Sequence, residues 1–138
     1  MRGTVALRGG QRLSGEIEAA QFGVVDGVGI GSRLPDGGHI RLETGGAITD
    51  LPARDIRSVE AVWRDRGLGG QSDWRIESLH VVTRDGTRLT GRPTWKLHAT
   101  VVQVRPVGAD KPVRIRALPM GRMFDPDNLL VRIEIAGP

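Results

Sequence analysis

Apolar and polar residues alternate with a period of two along most of this chain, and glycine or proline interrupts the alternation every few residues. Such a pattern predicts short, half-buried strands joined by tight turns. Strands are expected at residues 5–7, 13–17, 40–44, 47–51, 56–63, 76–83, 88–92, 99–105, 113–118 and 129–135. In 40–44 the alternation turns Ile40 and Leu42 inward. Residues 22–30 are apolar but broken by Gly23, Gly27 and Gly29, which suggests bulges or close backbone approach. The Pro-Asp-Gly-Gly core of 32–39 reads as a loop. No segment carries a helical period of useful length, so the fold class is all-β.

One stretch occurs twice. Residues 5–15 align with 81–91 at an offset of 76, with six of eleven positions identical and Ser14 matched by Thr90. The repeated unit is strand, tight turn, strand and closing glycine, which predicts a duplicated small β module. The glycine-rich stretch 64–73 is bracketed by Trp63 and Trp74, and 64–75 reads as the linker or loop between modules at 1–63 and 76–138. The expected architecture is two small barrels packed together. A single larger barrel or sandwich is the alternative.

The order "strand, Gly turn, strand, Gly, alternating strand, Leu51-Pro52-Ala53-Arg54-Asp55-Ile56-Arg57-Ser58-Val59-Glu60" resembles small five-stranded barrels of the Sm-like or SH3-like kind. It covers residues 3–62, with a second copy over 77–136. The resemblance implies the small-barrel fold and ring-like oligomers. It does not extend to the RNA pocket of Sm proteins. Asp26-Gly27-Val28-Gly29 lacks the Asn of that pocket, and Pro52-Ala53-Arg54-Asp55 lacks its Arg-Gly or Lys-Gly pair.

At 138 residues the chain fits one ordinary domain or two very small ones. It has no cysteine, which excludes disulfides, thiol catalysis and Cys-ligated zinc. The apolar run at the N-terminus is too short for a signal peptide and no stretch approaches a membrane span, so a cytoplasmic protein without membrane contact is expected. Eighteen of the twenty basic residues are arginine. GC-rich codon usage explains that bias, and so does selection for bidentate recognition of phosphate or carboxylate. Residues 1–63 carry seven Lys/Arg against eight Asp/Glu, whereas 64–138 carry thirteen against eight. An asymmetry of this kind points to an anionic partner for the second half.

Candidate chemistry is sparse. His39, His80 and His98 are not spaced as metal ligands, and no nucleophile motif, P-loop or dinucleotide fingerprint is present. Glu16 and Glu18 read as a solvated strand face, and 125–128 as a capped turn. No cofactor, metal or catalytic residue is expected. The sharpest local feature is a hairpin of 99–105 and 113–118 turning near Ala109. It would put Gln103 opposite Arg116 and Arg105 opposite Arg114 on one exposed face. Like charges so placed repel unless an anion sits among them. Arg105, Arg114, Arg116 and Gln103 are therefore the expected anion-binding residues, with Arg84, Arg88, Arg92 and Lys96 supplementary. The expected function is a non-catalytic interaction or assembly module that forms homo-oligomers or scaffolds another protein. Binding of nucleic acid or another polyanion through the Arg-rich half is the alternative.

Overall fold

A computed structural model describes residues 1–23, 32–34, 38–67, 72–95, 98–117 and 125–137. The fold is all-β. Its strands are β1 (Arg2–Leu7), β2 (Arg12–Phe22), β3 (Ser32–Leu34), β4 (His39–Thr44), β5 (Ala47–Pro52), β6 (Ile56–Asp65), β7 (Trp74–Thr83), β8 (Arg88–Pro93), β9 (Thr100–Arg105), β10 (Val113–Ala117) and β11 (Leu130–Ile135). Single 3-10 turns, Ala53–Asp55 and Pro126–Asn128, lead into β6 and β11. Among the described residues no helix is long and apolar enough to cross a membrane.

All the strands belong to one antiparallel sheet, in the order β1-β11-β6-β7-β8-β4-β3-β2-β9-β10, with β5 on β4 and a further pairing of β1 with β2. This arrangement does not confirm two small barrels packed together. Backbone ladders join β1 to β11, β6 to β7 and β11, β4 to β8, and β2 to β9, so strands of both halves share the sheet. The stretch 64–75 does not separate two sheets. β6 runs on through Asp65 and β7 begins at Trp74, and the two strands pair directly as one long hairpin.

The sequence repeat has a structural counterpart. Val5 pairs with Leu13 and Ile133, and Val81 pairs with Leu89 and Val59. Leu7 N–H donates to the Gln11 carbonyl at 2.8 Å and Thr83 N–H to that of Thr87 at 2.9 Å. Arg8 and Arg84 donate their N–H groups at 2.8 Å to Leu129 and Asp55, each just before the incoming strand. β11 and β6 meet about the Ile133–Val59 pair, with Arg132 opposite Glu60 and Glu134 opposite Ser58. Six strands, β2-β1-β11-β6-β7-β8, thus repeat about an approximate two-fold axis through that pair. The symmetry continues outward: Arg105 of β9 lies opposite Glu16 of β2, and Glu43 of β4 opposite Arg92 of β8. Hairpins β4–β5 and β9–β10 are the corresponding appendages of the two halves.

A bulge explains why β2 is longer than the alternation predicts. Ile17 pairs with Val104 and Ala19 with Gln103, leaving Glu18 as the extra residue. An extra residue reverses which side chains face inward. Ile17 is inward before it and Ala20 and Phe22 after it, all fully buried. Period-two reading stops at the break, hence the expected end at 17. β3 is a second difference, because 32–34 read as a loop. Buried Ser32 accepts the Arg41 N–H on its Oγ at 2.8 Å, and Leu34 joins the core. The core is continuous across both halves, with Val5, Leu7, Ile40, Leu42, Val59, Leu79, Val81, Val104, Leu130 and Ile133 in one cluster.

Candidate functional site

The β9–β10 hairpin carries the residues expected to meet an anion. Its register differs by two from the one expected: Arg114 lies opposite Gln103, and Arg116 opposite Val101. The cause is the turn. Ala109 N–H donates to the Pro106 carbonyl at 3.0 Å, closing a tight turn on Gly108 at φ +79°. Pro112 has no N–H to give to the ladder, so pairing begins at Val113 with Val104. A shift of two keeps each side chain on its expected face.

An internal carboxylate fills the place reserved for the anion. Glu18, aimed by its bulge, accepts from Gln103 Nε2 at 2.8 Å and from Arg105 Nε at 3.0 Å. Arg114 Nη1 then donates to Gln103 Oε1 at 3.0 Å. The Gln103 and Arg105 hydrogen bonds hold the Glu18 carboxyl below the usual carboxylate range. Arg105 also donates to the Asp110 carbonyl. Sequence reasoning missed Glu18 because its partners lie 85 and 87 residues away. The only local signal was the break in alternation after Ile17.

The supplementary arginines lie elsewhere. Arg84 sits in the β7–β8 turn, where its Nε donates to the Arg54 carbonyl and its own carbonyl accepts from Arg57 at 3.3 Å. Arg88 and Arg92 are exposed on β8, separated from β9 in the sheet by β4, β3 and β2. Lys96 lies outside the described residues, as do 26–29. Among the described residues, the arginines of 84–92 and those of 105–116 thus lie on separate parts of the sheet.

The histidines and tryptophans have partners within the fold. His80 Nδ1 bonds the Thr90 hydroxyl at 2.9 Å, repeating the 2.8 Å Thr4–Ser14 pair of the other hairpin. Half-buried His98 accepts the Ile76 N–H on Nδ1 at 2.8 Å. Burial, then the charges of Arg75 and Arg66, push its pKa down to about 4. Trp63 Nε1 donates to the Leu130 carbonyl at 2.8 Å, while the Arg8 guanidinium stacks 4.4 Å from the Trp74 ring centre. Among the described residues no three His, Asp or Glu side chains converge as a metal site.

Among the described residues two strands have a paired neighbour on one side only, β5 on β4 and β10 on β9. Among the described residues the exposed large apolar side chains belong to these same hairpins. Ile48, 64% exposed, is the second residue of β5, and Val107, 80% exposed, lies in the β9–β10 turn. Compared with known families, curated proteins and solved structures, the chain matches none.

Proposed function

We propose that the protein is a non-catalytic, cytoplasmic assembly module that associates with copies of itself through the open edges of β5 and β10. The observation that carries this reading is the pair of corresponding hairpins, each ending in a one-sided strand with an exposed apolar residue at or beside its tip. An open edge is a template for another strand, and natural proteins usually blunt it. Here Pro112 and Pro52 bound the two edges, but Val113–Ala117 and 47–51 between them contain no proline.

Charge selects the mode of association. β10 paired with β10 would bring Arg114 and Arg116 against their own copies, which is unfavourable. β5 carries Asp50. Pairing β10 of one copy with β5 of the next matches opposite charges and makes a head-to-tail contact, which closes into a ring or continues as a filament. The Sm-like and SH3-like resemblance supports the same habit. A polyanion partner is the weaker reading, because Glu18 already occupies the arginine face and Arg88 and Arg92 lie on a distant strand.

Light scattering tests the proposal. Wild-type protein should give a mass of several subunits at both ~50 mM and ~500 mM salt, since apolar burial and strand pairing survive screening. Replacing Ile48→Lys and Val107→Asp together should return the mass to one chain. Wild-type protein that is monomeric at every concentration, or assembles only with added nucleic acid, overturns it.

A further inference from the structure

Beside the β6–β7 hairpin lies a cleft that assembly does not use. It has a volume of about 380 Å³, and its described lining includes Arg64, Arg66, Arg92, Glu77, Ile76 and His98. Three guanidinium groups thus share one small concavity with one carboxylate. The β6–β7 ladder adds a fourth, setting Arg64 directly opposite Arg75. Like charges so placed destabilise a sheet. Asp73 relieves Arg75 at 3.0 Å, but Glu77 reaches Arg64 only at 4.0 Å. No hydrogen bond or ion pair joins the Arg66 or Arg92 side chain to another described residue.

The cleft is built by the fold, because its arginines come from three places. Arg64 is the penultimate residue of β6, Arg66 follows that strand, and Arg92 lies on β8, next to β7 in the sheet. Glu77 stands where β7 bulges: Val62 pairs with Ser78 and Trp63 with Ile76, so Glu77 is the extra residue. The His98 ring is fixed from below by the Ile76 N–H on Nδ1.

We propose that this cleft binds a phosphate group, free or as the monoester of a small solute, with Arg64, Arg66 and Arg92 as its ligands. The planar guanidinium fork matches phosphate oxygens two at a time. A volume near the lower end of ordinary ligand pockets suits one phosphate with a few further atoms. The ligand would supply negative charge to Arg64, which Glu77 reaches only at 4.0 Å, and to Arg66 and Arg92. His98 reports on it from within the cleft. Burial first, then the charges of Arg75 and Arg66, depress its pKa, while Asp73 and a hydrogen bond with the Trp95 backbone oppose them. A bound anion weakens the depressing charges and lets the pKa rise.

The test is a titration of the whole protein with inorganic phosphate and, separately, phosphoserine, at constant ionic strength held with chloride. The His98 ring signals are followed by NMR. Expected is a saturable shift and a His98 pKa raised by at least half a unit at saturation. Arg66→Gln with Arg92→Gln should weaken binding at least tenfold while the amide spectrum stays that of the folded protein. Tighter binding of phosphoserine assigns the site to a phosphomonoester, and equal binding to free phosphate. The proposal is overturned if neither probe gives saturable change below ~10 mM, a dissociation constant on the scale of negligible recognition. It is also overturned if the double variant binds as well as wild type, or if only a short single-stranded DNA moves the His98 signals.

Discussion

Gly15 closes the first repeated hairpin, and replacing it by alanine tests how the sheet is joined. Gly15 sits at φ +150°, and a Cβ there would overlap the Arg105 carbonyl oxygen and lie 2.9 Å from Pro106 Cα. Both obstacles are backbone, so β9 must move off β2. The backbone conformation costs a non-glycine residue roughly 1–3 kcal/mol, and forcing β9 aside adds roughly 1–3 kcal/mol by the measure of overpacked cores. A loss of about 2–6 kcal/mol results. With an unfolding entropy of about 2.1 cal/mol/K per residue, that lowers Tm by roughly 7–20 °C. Gly86→Ala is the control. Its φ is +89°, but nothing lies within 4 Å of the added Cβ. Only the backbone cost applies there, about 1–2 kcal/mol or roughly 3–7 °C. Gly91, the repeat partner of Gly15, has the Glu43 carbonyl oxygen 2.8 Å from its added Cβ and should fall between the two. Scanning calorimetry of the three variants decides the matter. If Gly15→Ala melts with Gly86→Ala, the close passage of β9 over β2 is refuted.

Phe22, fully buried at the inner end of β2, should cost about 3–5 kcal/mol on replacement by alanine, read from urea unfolding. His98 has a folded pKa of about 4, below its unfolded 6.5, so the unfolded chain binds the extra proton as pH falls. Its contribution is complete above 6.5 and is lost as pH drops toward 4. After screening of this half-buried ring it is on the order of 1–2 kcal/mol, and His98→Asn should flatten the pH dependence of Tm over that interval. Glu18→Ala releases Arg105 and Gln103 from their internal acceptor. It should raise retention on a polyanion column and steepen the salt slope by about one unit, for one added phosphate contact. Unchanged retention would show that the face does not contact phosphate.

The alternating pattern carried most of the strands, because period-two burial is a local property of each strand. The repeat at residues 5–15 and 81–91 also read through to structure, in two hairpins of matching register. What it could not convey was the partner of each outer edge. β11 pairs with β1 and with β6, long-range choices that no local signal encodes. Bulges hid the rest. Glu18 and Glu77 each break the alternation, and each proves to be the acid placed among arginines. The arginine hairpin was legible as a face, but its internal counter-charge was not, since Glu18 arrives from the far end of the sequence.

Assembly through β5 and β10 is tested most directly by amide exchange at low and high protein concentration, about 1 and 100 μM across the usual affinity range for such contacts. Amides of β5 and β10 left unpaired by β4 and β9 should exchange quickly when dilute and more slowly when concentrated, while β6 and β7 amides do not change. Equal rates for β5 and β10 at both concentrations would contradict the account.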